Sequence, residues 1–201
     1  MSRIKHTKTE LKAQRDALRR FERYLPTLQL KKQQLQLEVR NLEAQLEKKR
    51  AEERLFAEAL APWIRLFAEQ VGLDKLLRVK EIRTSEGNIA GVTIPVLEGI
   101  DFERAVPDLF RSPSWVDEGL DAMEAAIRFA AEIRILEEEL RALGEELRTT
   151  TQRVNLFEKV KIPESAENIR VIRIYLGDEQ TADVVRGKIA KGRSVEKVRS
   201  A

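Results

Sequence analysis

The chain has 201 residues, with 37 Lys/Arg against 34 Asp/Glu, one histidine and no cysteine. Charged residues make up 35% and aromatics 5%, which excludes a thick apolar globule and suits an elongated body with a thin core. The missing cysteine excludes disulfides, thiol nucleophiles and cysteine-based metal sites. The longest uncharged run, residues 87–97, is far short of the roughly 20 residues that span a bilayer. The opening MSRIKHTKTE carries charge with no apolar stretch behind it, so no secretory signal is expected. Net charge is +3 but uneven: residues 1–20 hold seven Lys/Arg and two acids, and residues 186–201 hold six and one. Basic ends flank an acidic middle.

The first predicted element is a long helix. Apolar residues fall at Leu18, Phe21, Leu25, Leu28, Leu35, Val39, Leu42 and Leu46, with Lys32 filling the one skipped position. That alternation of three and four is a coiled-coil seam. The register runs on through Lys49 and Glu53 to Phe56, Leu60, Trp63 and Phe67, and back to Leu11 and Ile4. A helix over about 4–70 is roughly 100 Å long, with kinks expected at Pro26 and Pro62.

Gly72 to Gly119 holds five of the nine glycines and three of the six prolines. Within it, "VKEIRTSE" and "IAGVTIPVL" flank Gly87-Asn88, which predicts a β-hairpin over roughly 79–97 that turns at that pair and projects from the bend. Pro95 restricts its second strand to an edge or an end. The apolar residues Ile89, Val92, Ile94 and Leu97 need a partner. It is either the adjacent helices or another protein, with Phe102, Leu109 and Phe110 the nearest candidates within this chain.

The second long helix is announced by Ser114 with Asp117 three residues on, a capping-box pattern. Phe129, Ile133, Leu136, Leu140, Leu143, Leu147, Thr150, Val154 and Phe157 keep the heptad spacing, a kink is expected at Pro163, and a new phase begins after it with Ile169, Ile172 and Leu176. Two such helices joined by a turn-rich segment fold back on each other. The expected fold is all-α: a long antiparallel two-helix coiled-coil hairpin with a small β-hairpin and a short helical segment inserted at the bend. The expected parts are 1–71, the N-terminal coiled-coil helix; 72–113, the central segment; and 114–201, the C-terminal helix with its basic tail.

No catalytic, cofactor or metal site is expected. His6 has no ligand cluster around it, phosphate-binding glycine patterns are absent, and Glu137-Glu138-Glu139 and Glu145-Glu146 read as a solvated helix face. An antiparallel hairpin brings both basic ends to one tip. Without an aromatic stacking platform there, a solvated or partner-facing tip is expected rather than nucleic-acid binding.

Three stretches then become family-specific. "YLPTLQLKKQQLQLEV" (Tyr24–Val39), "NIAGVTIPV" (Asn88–Val96) and "QRVNLFEKVKIPESAENIRVI" (Gln152–Ile172) resemble, in this order, blocks of the D subunit of V-type ATPases. The most specific signature is carried by Arg153, Val154, Asn155, Glu158, Pro163 and Asn168. The resemblance spans about residues 9–190. It departs at Lys31-Lys32-Gln33-Gln34, where the family often has Lys-x-Lys-Arg-Asp, and at Gly177 and Gly187, where a continuous helix is usual. The resemblance implies a non-catalytic central-stalk rotor shaft that couples ATP hydrolysis or synthesis to H+ or Na+ translocation. It further implies A and B catalytic-head subunits around the terminal helices, with the small F companion and a socket protein (C/d type) near the bend. The chain would bind no cofactor and no nucleic acid. It would be cytoplasmic and peripheral to the membrane, without insertion into it. Arg3, Lys5, Lys8, Lys12, Arg15, Lys188, Lys191 and Arg193 would face the head, and Ile89, Val92, Ile94 and Leu97 the companion or foot. The alternative is a prefoldin-like chaperone or a coiled-coil scaffold; neither accounts for three ordered motifs.

Overall fold

The computed structural model describes residues 4–69, 71–108 and 112–199, apart from the side chains of Asp74 and 194–199. Leu109 and Phe110, expected partners of the hairpin, lie outside the described residues. The chain is mostly helical. Helix α1 (Lys8–Leu60) is followed by a 3-10 turn (Ile64–Ala68), α2 (Leu73–Leu76), strands β1 (Leu77–Ile89) and β2 (Val92–Arg104), and α3 (Val116–Leu156). A π-helical turn (Phe157–Lys161) then leads into α4 (Ile162–Arg199). Helix α1 stops at Leu60 rather than near residue 70. Pro62 lies just past its end, where its missing N–H and crowding ring stop the helix instead of kinking it. Helix α3 starts at Val116, two residues past Ser114. The chain forms two compact units, Lys31–Thr149 and Met1–Leu30 with Thr150–Ala201.

In the unit Lys31–Thr149, α1 and α3 meet in antiparallel order. Lys31 Nζ reaches Glu146 at 2.6 Å, Arg50 reaches Glu137 at 2.7 Å, Lys49 reaches Glu132 at 2.9 Å, and the Phe56 and Phe129 rings lie 5.5 Å apart. The heptad positions Leu35, Leu42, Leu46 and Leu143 are buried. Lys49, a polar residue in the seam, does not leave a gap. Its ammonium bridges Glu132 of α3 and Glu52 of its own helix, and these bonds hold its pKa above the ordinary lysine value.

The hairpin differs from expectation in three ways. It is longer, two strands of 13 residues each. It turns at Ala90-Gly91, where φ is 52° and 81°, and not at Gly87-Asn88. Positive φ at both central residues marks the type I′ turn that matches strand twist. The Asn88 side-chain carbonyl accepts the Gly91 N–H at 3.0 Å, bracing the turn from outside. Gly87 is instead a strand residue at a close approach: a Cβ there would sit 2.7 Å from Val96 Cγ2. Pro95 faces Glu86, three pairs out from Ile89–Val92. Since pairs alternate between bonded and non-bonded, its nitrogen lies on the open edge, where no ladder donor is lost.

The third difference concerns direction. The hairpin does not project from the bend but lies back along the helices. Ile94 is 3% exposed and shares a core with Leu35, Leu42 and Leu143, with Ile89, Val92, Leu136, Leu140 and Leu147 packed around it. Shifts in register between Val79 and Glu81 and between Arg83 and Thr84 are β-bulges, which increase twist and bend a strand. At the hairpin base a second core joins Leu77, Val116 and Leu120, with Phe102 and Trp115 packed against it. The Arg104 guanidinium pairs there with Asp121, Asp117 and Glu124 of α3.

In the other unit, the Phe21 and Phe157 rings lie 5.1 Å apart, Asn168 donates to Gln14 at 3.4 Å, and His6 and Tyr175 lie 4.7 Å apart. These contacts are again antiparallel. Val154, Ser165, Ile169 and Ile172 are buried. A strict heptad continued from Phe157 would bury positions 164 and 171. The π turn supplies one extra residue, moving burial to 165 and 172. It also lies where Pro163 cannot donate to the Lys159 carbonyl and crowds it. One wide turn therefore accommodates the proline and resets the seam.

Ala90 is an unfavourable residue for a left-handed position. Ala90→Asn should therefore stabilise the chain by roughly 0.5–1 kcal/mol, read as a higher urea midpoint with an unchanged slope.

Candidate functional site

The candidate residues fall into three groups: the basic ends, the hairpin residues and the signature residues. Lys5, Lys8, Lys12 and Arg15 are exposed on the N-terminal stretch and the first turns of α1; Arg3 lies outside the described residues. The contacts Gln14–Asn168 and His6–Tyr175 set this stretch beside the part of α4 around residues 168–175. Lys188, Lys191 and Arg193, also exposed, come 13 to 18 residues after Tyr175 on the same helix. At 1.5 Å per residue they are roughly 20–27 Å farther along. The two basic groups are therefore not gathered at one point. Between residues 177 and 193 every side chain except Ala182 is exposed, including the apolar Val184, Val185 and Ile189. That stretch is a bare helix with both charge and apolar surface to offer.

The hairpin residues are mostly engaged within the chain. Ile94 is buried, Ile89 and Val92 are packed against the same core, and Leu97 is half-buried. Their partner is the adjacent α1–α3 pair, one of the expected alternatives, and not Phe102. The apolar surface that the hairpin does present comes from Val79, Ile82 and Val96.

The signature residues divide by role. Val154 is buried, and Asn168 bonds Gln14, so these two hold the unit together. Arg153, Asn155, Glu158 and Pro163 lie at or near the surface. Pro163 lies two residues past the π turn, and Glu158 lies within it. Exposed Leu156 and Val160 place an apolar strip beside these residues.

One residue departs from its sequence reading. Glu139 is not on a solvated face: it is 8% exposed, and burial pushes its carboxyl pKa above the ordinary value. It lines an open cleft of about 400 Å3 with Gln45, Lys48, Lys49, Leu97, Glu132, Ile135 and Leu136. The sequence does hold a signal for this. Ala131, Ile135, Glu139 and Ala142 form a second stripe on α3 beside the seam, spaced 4, 4 and 3. A helix with two apolar stripes packs against two neighbours; here they are α1 and the hairpin.

Comparison with known proteins gives a consistent result. A family model described as the D subunit of ATP synthase matches residues 10–192. A Borreliella burgdorferi protein, named as the D subunit of a V-type ATP synthase, is 46% identical over 200 residues, covering 100% of this chain and 99% of the relative. Proteins of the same name from Chlamydia pneumoniae and Chlamydia muridarum are 35% and 33% identical, each across 94% of this chain and 91% and 95% of their own lengths.

Burial of Glu139 has a pH signature. A carboxyl whose folded pKa is raised favours the folded state when protonated, and that contribution is lost as pH rises through the carboxylate range. Glu139→Gln, neutral at every pH, should therefore raise the melting temperature by a few degrees at pH 7.5. The gain should disappear near pH 4, as followed by circular dichroism.

Proposed function

The chain belongs to the D-subunit family of ATP synthases, and from that premise we propose that it is the central-stalk rotor shaft of a rotary V-type ATPase. In this role α1 pairs with α3 and α4 as one antiparallel coiled-coil hairpin. The paired ends reach into a ring of A and B catalytic subunits, and the end that carries the β-hairpin meets the F companion and the socket protein. The chain itself is non-catalytic. It couples ATP hydrolysis or synthesis in the head to H+ or Na+ translocation, from the cytoplasmic side and peripheral to the membrane. No helix among the described residues is long and apolar enough to cross a membrane.

The observation that carries this proposal is the bare stretch of α4 from 177 to 193. A single helix with exposed Val184, Val185 and Ile189 and cationic Lys188, Lys191 and Arg193 is poorly satisfied by water alone. It suits enclosure by a partner that offers apolar walls and carboxylates. A shaft must also be asymmetric, so that each angle favours a different state of each catalytic interface. That is a coupling free energy and is reciprocal for binding. Nucleotide state then sets shaft angle, and shaft angle sets nucleotide affinity. The hairpin residues Ile89, Val92, Ile94 and Leu97 serve the foot end by fixing the hairpin against α1 and α3, so that its outer surface is a rigid feature for the companion.

Lys188→Glu, Lys191→Glu and Arg193→Glu together should leave the helical content of the chain unchanged. They should sharply reduce ATP-driven rotation in the assembled complex, observed with a bead on the shaft. Rotation at the wild-type rate and torque would contradict a head-facing role for this stretch.

A further inference from the structure

We propose that α4 is a two-register element, with the π turn as its catch and Pro163 as the residue that holds the catch. Downstream of the turn, α4 carries two stripes at heptad spacing. The stripe turned inward is Ser165, Ile169 and Ile172, all buried, with Leu176 half-buried. Beyond Leu176 its positions become polar at Glu179, Asp183 and Arg186. The other stripe is the one a strict heptad from Phe157 would reach. It is polar at Lys161, Glu164 and Asn168, then apolar at Val171, Tyr175, Ala182, Val185 and Ile189, with Asp178 the exception. If the π turn relaxed to ordinary helix, everything after it would roll by one residue, about 100°. The two stripes would then change places.

The surroundings leave room for that roll. An open cleft of about 460 Å3 runs along one flank of α4, where Lys161, Glu164 and Asn168 line it opposite Gln14 and Phe21. A second, of about 490 Å3, runs along the other flank, with Ala166 and Arg173 opposite Arg15 and Glu22. The roll carries the strict-heptad flank inward, into the first cleft. Two residues of that flank already touch the edge of the contact. Asn168 donates to Gln14 at 3.4 Å, and the Tyr175 ring lies 4.7 Å from His6. Pro163 opposes the roll. In an ordinary helix its ring crowds the Lys159 carbonyl, which also loses its donor; the π turn accommodates that proline. The seam adds to this, since Ile169, Ile172 and Leu176 bury more apolar surface than Val171 and Tyr175. A roll also turns the bare stretch 177–193, where the face with Val185 and Ile189 exchanges with the face that carries Glu179 and Asp183. The catch therefore decides which face this stretch offers outward.

The test uses the full chain, which has no cysteine, so one introduced thiol reports alone. Val171→Cys and Ile172→Cys are each made with and without Pro163→Ala, and the rate of maleimide modification is measured alongside circular dichroism. With Pro163 in place the thiol at 171 should react fast and the thiol at 172 slowly. Pro163→Ala should speed reaction at 172 by about tenfold and slow it at 171, because the proline no longer penalises the rolled register. Deleting Val160 as well removes the extra residue, so an ordinary helix again turns 172 inward and the slow rate there should return. Unchanged rates in Pro163→Ala would show that the seam alone fixes the register and would overturn the proposal. Faster reaction at both positions, or a deletion that restores nothing, would mean melting of the helix rather than a roll and would overturn it too.

Discussion

A pair of helices can bury only one stripe each, and within each unit the fold follows from keeping that stripe buried. The seam positions of α1 alternate by three and four from Leu18 to Leu60, and most of them are half-buried or buried. Where the seam meets charge at Lys49, the partner helix supplies Glu132. Where it meets Pro163, the backbone widens by one residue in the π turn and the stripe resumes at Ser165, Ile169 and Ile172. These two interruptions are repaired locally because a break in a core this thin has no second layer to cover it.

A second layer does exist in one place, under the hairpin. A two-stranded sheet is marginal alone, and a two-helix seam is thin. Each supplies what the other lacks. Ile94 enters the groove between Leu35, Leu42 and Leu143, which makes one shared core out of two weak parts. The two-residue turn makes this possible, because Ala90-Gly91 places Ile89, Val92 and Ile94 next to the fold-back point and on the helices. The cleft holding Glu139 lies along this same contact, past Leu97. The second layer therefore both consolidates the unit and borders the cleft in which Glu139 is largely buried.

Much of this is legible in the sequence, for reasons that can be stated. The seams are legible because heptad spacing is a direct image of helix geometry, and polar residues at a few of its positions do not hide it. The hairpin's existence is legible from β-branched residues and glycines. Its turn is easily misplaced because Gly87-Asn88 looks like a turn pair, whereas the glycine answers a steric need, contact with Val96, and the asparagine braces the real turn. The hairpin's direction is not legible, since alternation gives a face and not what covers it. Glu139 is hidden for the same reason. A Glu-Glu-Glu run looks solvated until the second stripe on α3 is matched to a neighbour. The π turn leaves only a phase shift after Pro163, visible in sequence as a change of register without its cause.

The full-length match to D-subunit relatives and the bare end of α4 lead to one central claim, that this chain is the single shaft of a multisubunit motor. Co-expression with V-type A, B and F subunits followed by native mass determination tests it most directly. The account predicts one copy of this chain in a particle with three A and three B subunits. A chain that stays outside such a particle and forms its own multimer would contradict it.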